Sequence, residues 1–190
     1  MPSGRCCTRG RVTATSAKMS VVEKLSPFDQ DSGDLNVIIE TPRGCRNKYS
    51  YDEKRGVFKL SGVLPAGAVF SFDFGFIPDT KGEDGDPLDV LVLSEFSFSQ
   101  GCMVNCNIIG SLKAEQTEYK KTIRNDRIFL TPEIKGLYPD YRSLEDVQKE
   151  KMKEIEDFFI YYNLVENKTF KPIEILTAKE TWKNIKQQRS

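Results

Sequence analysis

The chain has 190 residues, 38% of them hydrophobic, and its 28 basic and 28 acidic side chains leave no net charge. That length and composition fit one compact domain with a core of ordinary size, and the zero balance gives no global reason to bind nucleic acid or an anionic membrane. The sequence contains no histidine and no apolar run of about 18 residues, which excludes a transmembrane helix, Ser-His-Asp and Cys-His catalysis, His-ligated zinc and imidazole acid/base chemistry.

Residues 1–18 carry Arg5, Arg9, Arg11 and Lys18 with no acid, a composition loosely like an organellar transit peptide. The preferred reading is a flexible N-terminal extension over 1–34 ahead of a single domain over 35–190, in a cytoplasmic protein. The five cysteines (Cys6, Cys7, Cys45, Cys102 and Cys106) are an odd set without disulfide-framework spacing, which points to a reducing compartment. Cys102 and Cys106 read as strand residues, since no histidine or second cysteine pair stands near them to complete a zinc site.

Leu35-Asn36-Val37-Ile38-Ile39-Glu40 is short, β-branched and strand-like. Further strands are expected at 48–52, 57–60, 68–72, 90–94, 103–110 and 122–130, separated by turn signals at Pro42-Arg43-Gly44, Lys54-Arg55-Gly56, Pro65-Ala66-Gly67, Lys81-Gly82 and Gln100-Gly101. Short strands at this spacing suggest a barrel or sandwich. After Tyr141 the pattern changes. Ser143-Leu144-Glu145-Asp146 resembles a capping box, and Leu144, Val147, Ile155, Phe158, Phe159 and Tyr162 recur near the helical period, predicting one long amphipathic helix. A second, short helix is expected from Thr177-Ala178-Lys179-Glu180, docked through Trp182 and Ile185.

Seven acids against the single Lys81 lie between Asp73 and Glu95. Within them, Asp84, Asp86 and Asp89 sit around Gly85 and Pro87, just ahead of the apolar run Val90-Leu91-Val92-Leu93. Such a concentration of negative charge beside a folded core asks for a neutralising hard cation such as Mg²⁺. An EF-hand loop does not fit, because Leu88 and Asp89 stand where it needs an oxygen ligand and a glycine. A solvated acidic loop is the other reading. A basic group, Arg43, Arg46 and Lys48, lies between the first two strands, and the strand period points Arg46 and Lys48 to the same side. It reads either as a holder of phosphate oxygens or as an ordinary solvated hairpin.

The run Asp84-Gly85-Asp86-Pro87-Leu88-Asp89-Val90 resembles the D-x-D-P-x-D-V motif of the soluble family I inorganic pyrophosphatases. Glu40-x-Pro-x-Gly-x-Arg46-Asn47-Lys48-Tyr49 is similar to their N-terminal motif, and Asp73-Phe74-Gly75-Phe76-Ile77-Pro78 to the segment before their metal loop. The resemblance implies an α+β fold, an OB-like five-stranded β-barrel with a long helix in the C-terminal half and a short terminal helix packed on it. It also implies Mg²⁺-dependent hydrolysis of pyrophosphate to two orthophosphates, and a tendency to form homo-oligomers. By position, Asp84, Asp86 and Asp89 would ligate Mg²⁺, with Asp86 as the base that orients the attacking water and Glu40 supporting the metal and water shell. Lys48 and Tyr162, with Arg46, would hold phosphate.

The chain departs from the common family pattern at several places. Ser50 replaces a Glu, Gly62 an Arg, Phe74 a Tyr and Asn163 a Lys. In place of Asp-x₄-Asp-x-Lys it reads Glu115-Gln116-Thr117-Glu118 and, further on, Arg124-Asn125-Asp126-Arg127, runs that resemble a divergent bacterial branch of the family. Glu115 and Asp126 are the expected stand-ins for the missing metal ligands, and Arg124 or Arg127 for the missing lysine. Because Ser50, Gly62 and Asn163 remove bulk or charge, two alternatives stay open: hydrolysis of another phosphoanhydride, or a catalytically inactive binding protein of the same fold.

Overall fold

The computed structural model describes residue 22 and residues 25–134 and 141–188. Cys6, Cys7 and the targeting reading of residues 1–18 lie outside the described residues. Nine strands and two helices follow in chain order: β1 (Leu35–Thr41), β2 (Asn47–Asp52), β3 (Val57–Val63), β4 (Asp73–Ile77), β5 (Leu88–Val92), β6 (Met103–Glu118), β7 (Lys121–Arg124), β8 (Arg127–Pro132), α1 (Lys149–Val165), β9 (Thr169–Thr177) and α2 (Ala178–Gln187). The main sheet runs β1-β4-β5-β8-β6, and β1 pairs again with β6. Those five strands therefore close into a ring, the OB-like barrel that the sequence resemblance implies, and closure leaves no open edge among them. Among the described residues only β5 and β8 pair in parallel.

Strand alternation sorts the core into two sets. Leu35, Val37, Ile39, Val90, Val92, Ile128 and Leu130 point to one face, where Ile185 of α2 and the partly buried Trp182 cover them. Leu91, Leu93, Leu112, Phe129 and Phe72 point to the other, where Met152, Ile155 and Phe159 of α1 pack. α1 buries Met152, Ile155, Phe159 and Asn163, a spacing of three or four residues that keeps one stripe on the sheet. Residues 25–34, within the segment expected as an extension, run beside the barrel: Pro27 O accepts from Asn36 N at 3.0 Å, and Phe28 lies 4.8 Å from Trp182, ring to ring.

Several expected elements differ. The stretch 68–72 is a loop, because Phe70 N donates to Cys45 O and Phe70 O accepts from Gly44 N in an isolated exchange, and the strand follows at Asp73–Ile77. The span 122–130 is broken at Asn125-Asp126 into β7 and β8. The Ser143 capping box is formed, but it caps a single 3-10 turn at Leu144–Asp146, since Val147 is extended, and α1 starts at Lys149. β9, which the sequence reading left unassigned, pairs along β6, with a register shift where Pro172 lies opposite Ala114. The Thr177 capping box opens α2 as expected. Among the described residues no helix is long and apolar enough to cross a membrane.

Candidate active site

β2 and β3 form a separate two-stranded hairpin, laid against the barrel where Tyr51 stacks on Phe76 at 5.8 Å between ring centres. Between this hairpin, the barrel face under α1 and the loop joining β4 to β5 lies a cleft of about 600 Å³. Glu40, Lys48, Asp84, Asp86, Asp89, Arg127 and Tyr162 all line it. Residues more than 120 positions apart in sequence thus meet in one concavity, as a binding site requires.

Each side chain is aimed by its element. β1 shifts register against β4 between Ile39 and Thr41, a bulge that re-aims a side chain, and Glu40 at that bulge faces the cleft with Oε1 accepting from Tyr51 N at 2.7 Å. β4 approaches β1 so closely that a Cβ on Gly75 would lie 2.2 Å from Ile38 O. The β4–β5 loop is pinned by Thr80, whose hydroxyl donates to Ile77 O at 2.6 Å and accepts from Leu88 N at 3.0 Å. Gly82 N then donates to Asp86 O at 2.8 Å, Asp86 N donates to Asp84 Oδ1 at 3.1 Å, and Gly85 takes a φ of +93°, a conformation that costs glycine little.

Opposite the acids, Lys48 Nζ donates to Tyr162 OH and lies 4.9 Å from the centre of that ring. Tyr162 OH in turn donates to Glu166 Oε1 at 2.7 Å, and Lys168 bridges Glu166 at 3.3 Å and Glu118 at 3.5 Å. Burial and the Glu166 carboxylate push the Tyr162 phenol well up, so it stays a neutral donor. Burial, reinforced by Asp89 and Asp86, pushes Glu40 up to about 8 against the pull of Tyr51 N–H and Lys48. Asp86 is raised by burial and by Asp84, and Asp89 by burial, although Arg127 and Lys48 hold it down. All three shifts have the direction expected where carboxylates crowd in a partly dry site.

Eight carboxylates and four basic side chains line the cleft. Hard oxygen donors in excess over cations suit a divalent metal, although among the described residues no three acidic side chains already converge as a metal cage. The expected partners divide. Lys48, Tyr162 and Arg127 enter the cleft, whereas Arg46 is exposed and donates from Nε to Leu64 O at 2.7 Å, which ties the start of β2 to the end of β3. Arg124 and Asp126 line a small adjoining pocket on the far side of the β4–β5 loop and bond each other, Nε to Oδ2 at 2.8 Å. Asp126 Oδ1 also accepts from Ala114 N at 3.2 Å. Glu115 is likewise absent from the cleft lining, because the buried Ala114 sets the parity of β6 and turns Gln116 and Glu118 inward instead. Gln116, Glu118, Asn125, Glu166 and Lys168 are among the polar lining residues that the sequence does not single out. Alternation outward from Ala114 was the available signal for the first two.

The profile of one family, described as inorganic pyrophosphatase, matches residues 37–190. The chain is 33% identical over 159 residues to the inorganic pyrophosphatase of Synechocystis sp., covering 84% of this chain and 88% of that one. Among solved structures it is similar to an inorganic pyrophosphatase from Neisseria gonorrhoeae, with a TM-score of 0.79, 31% identity and coverage of 88% of this chain and 95% of that one. The inorganic pyrophosphatase from Thermus thermophilus gives a TM-score of 0.78 at 30% identity, covering 87% of this chain and 94% of that one.

Proposed function

The chain belongs to the inorganic pyrophosphatase family, and we infer that it hydrolyses pyrophosphate to two orthophosphates in the cleft between the β2–β3 hairpin, the β4–β5 loop and α1. The observation that carries this reading is the meeting of Glu40, Asp84, Asp86 and Asp89 with Lys48 and Tyr162 around one concavity. We assign the divalent cofactor as Mg²⁺; Asp84, Asp86 and Asp89, with Glu40, would hold it, since the donors are all hard oxygens. When bound, such an ion neutralises phosphate charge and acidifies water toward neutrality.

The protein's own groups supply the rest. Asp86 accepts the proton of the attacking water, and burial makes its carboxylate more basic than usual. As the new O–P bond forms, the bond to the bridging oxygen breaks and the charge passes to the departing phosphate. Lys48 meets that charge as a hydrogen-bond donor, and Tyr162 joins it by turning its one O–H from Glu166 to the phosphate; the Lys48–Tyr162 bond orients both before substrate enters. The cytoplasmic setting is part of the same proposal and rests on the unpatterned cysteine set, of which Cys45, Cys102 and Cys106 are free thiols.

The test is phosphate release from pyrophosphate as a function of Mg²⁺ concentration, for the wild type and for Asp86→Asn. The expected result is Mg²⁺-dependent release in the wild type and a loss of roughly 10²-fold or more in the variant. A folded Asp86→Asn protein that keeps its rate would overturn the assignment of the base.

A further inference from the structure

Arg127 opens β8 at the floor of the cleft and is 4% exposed. Its guanidinium carbon lies 4.8 Å from the centre of the Phe159 ring and 5.6 Å from that of Phe170, so residues of α1 and β9 close over it. From there Nη1 donates to Asp89 Oδ2 at 2.7 Å, to Asp126 O at 3.1 Å and to Asn125 Oδ1, while the buried Nε has no hydrogen-bond partner. An arginine that grips phosphate presents its fork of N–H groups to the ligand. This one is boxed against two rings, and the bonds that fix it run from Nη1 to three groups of its own chain: a carboxylate, an amide and a backbone carbonyl.

We propose that Arg127 is a positioning residue, a permanent positive charge built into the carboxylate cluster that holds one oxygen of Asp89 and thereby limits the divalent cations the cleft binds before substrate arrives. The proposal deepens the reading above and rests on it for the identity of the cleft. A guanidinium is not deprotonated in proteins, so its charge does not come and go. At 2.7 Å from Asp89 Oδ2, in surroundings drier than bulk water, it competes directly with any cation for that carboxylate. Asn125 sharpens the effect. Its amide oxygen accepts from the same Nη1 but brings no charge, so Asp89 is left as the anionic partner of the guanidinium in this bonded group. Asp89 accordingly offers a metal its other oxygen, in an orientation set by Arg127.

The experiment counts Mn²⁺ bound per chain without substrate, by calorimetry and by the loss of the free-ion signal in electron paramagnetic resonance. Arg127→Met, which keeps an unbranched apolar stem between the two rings and removes the charge, is expected to bind one more Mn²⁺ than the wild type, or the same number with a dissociation constant lowered about tenfold, the effect of removing one adjacent like charge. Arg127→Lys, which returns a cation, is expected to revert to wild-type binding. Equal number and affinity in Arg127→Met and wild type overturns the proposal. If Arg127→Met does not fold, wild type with ¹⁵N-labelled arginine is titrated with Mg²⁺ and followed by NMR. The Arg127 Nη resonances should stay separately resolved through saturation, shifted by the nearby charge but still those of a held guanidinium, and their averaging or loss as Mg²⁺ binds refutes the idea. Neither readout requires turnover, so a wild type that fails to cleave pyrophosphate would count against the proposed function and leave this test intact.

Discussion

Glu40→Gln separates what the cleft costs the fold from what it does for catalysis. Glu40 is 9% exposed, and its carboxyl is displaced from an ordinary 4.5 to about 8, chiefly by burial. In the metal-free protein the folded chain therefore keeps a proton that the unfolded chain has released. The unfolded state binds fewer protons between those two values, so the free energy of unfolding falls as pH rises through this window. The contribution is fully present below about pH 4.5 and lost as pH passes about 8. Integrated from pH 5 to pH 8, it amounts to on the order of 3 kcal/mol, or roughly 6–12 °C in Tm for a chain of this length. Glutamine keeps the shape and the acceptor for Tyr51 N–H without the charge. Urea unfolding with a chelator present should show the variant gaining little over wild type at pH 5 and about that much at pH 8. Saturating Mg²⁺ at pH 8 should stabilise the wild type more than the variant, because binding to the folded state adds stability in proportion to affinity, while the variant loses activity. Stability curves for the two metal-free proteins that stay parallel from pH 5 to pH 8 would refute the reasoning.

Two further substitutions probe the frame and the substrate grip. Gly75→Ala places a Cβ 2.2 Å from Ile38 O, which the β1–β4 pair cannot accommodate without moving backbone, and the expected loss is about 3 kcal/mol or more in denaturant unfolding. A Tm within a degree or two of wild type would show that the strands separate easily. Tyr162→Phe keeps the ring stacked on Phe158, 6.0 Å between centres, but removes the hydroxyl that accepts from Lys48 and donates to Glu166. KM for pyrophosphate should rise by roughly 10- to 150-fold, the equivalent of one hydrogen bond to a charged group, with little change in Tm. An unchanged KM would remove Tyr162 from the substrate contacts.

The parts of this molecule that are legible in the sequence are those whose determinants lie close together along the chain. The acidic loop is one, since Thr80, Gly82, Gly85 and the carboxylates it aims all fall within ten residues. α2 is another, its start written in Thr177 and Glu180. Elements decided by partners far away are not legible in the same manner. Phe70 and Phe72 have strand-forming composition, yet they serve as core side chains on a loop whose backbone bonds go to Gly44 and Cys45. β9 is hidden by Pro172, which argues against a strand until β9 is seen to pair with β6 along one side, where a missing N–H can be tolerated.

The same distinction explains which half of the candidate site needed coordinates. Choosing between Glu115 and its neighbours as cleft residues is a matter of strand parity, and parity on β6 follows from where Ala114 is buried. Once that is known, the departures from the family pattern form a consistent set. Asn163, standing where a lysine is usual, is 1% exposed and donates to Phe159 O at 2.8 Å, so it serves the helix core, while Lys168 enters the cleft beside Glu166. Asn125-Asp126-Arg127 turns its middle residue away and sets its outer two on the cleft. Positive charge in the cleft thus comes from Lys168 in the turn after α1 and from an arginine locked on Asp89. A site with an amide and one permanent guanidinium among its carboxylates needs less external charge to be neutral. A smaller resting complement of metal is therefore expected from the same residues that make this chain look divergent.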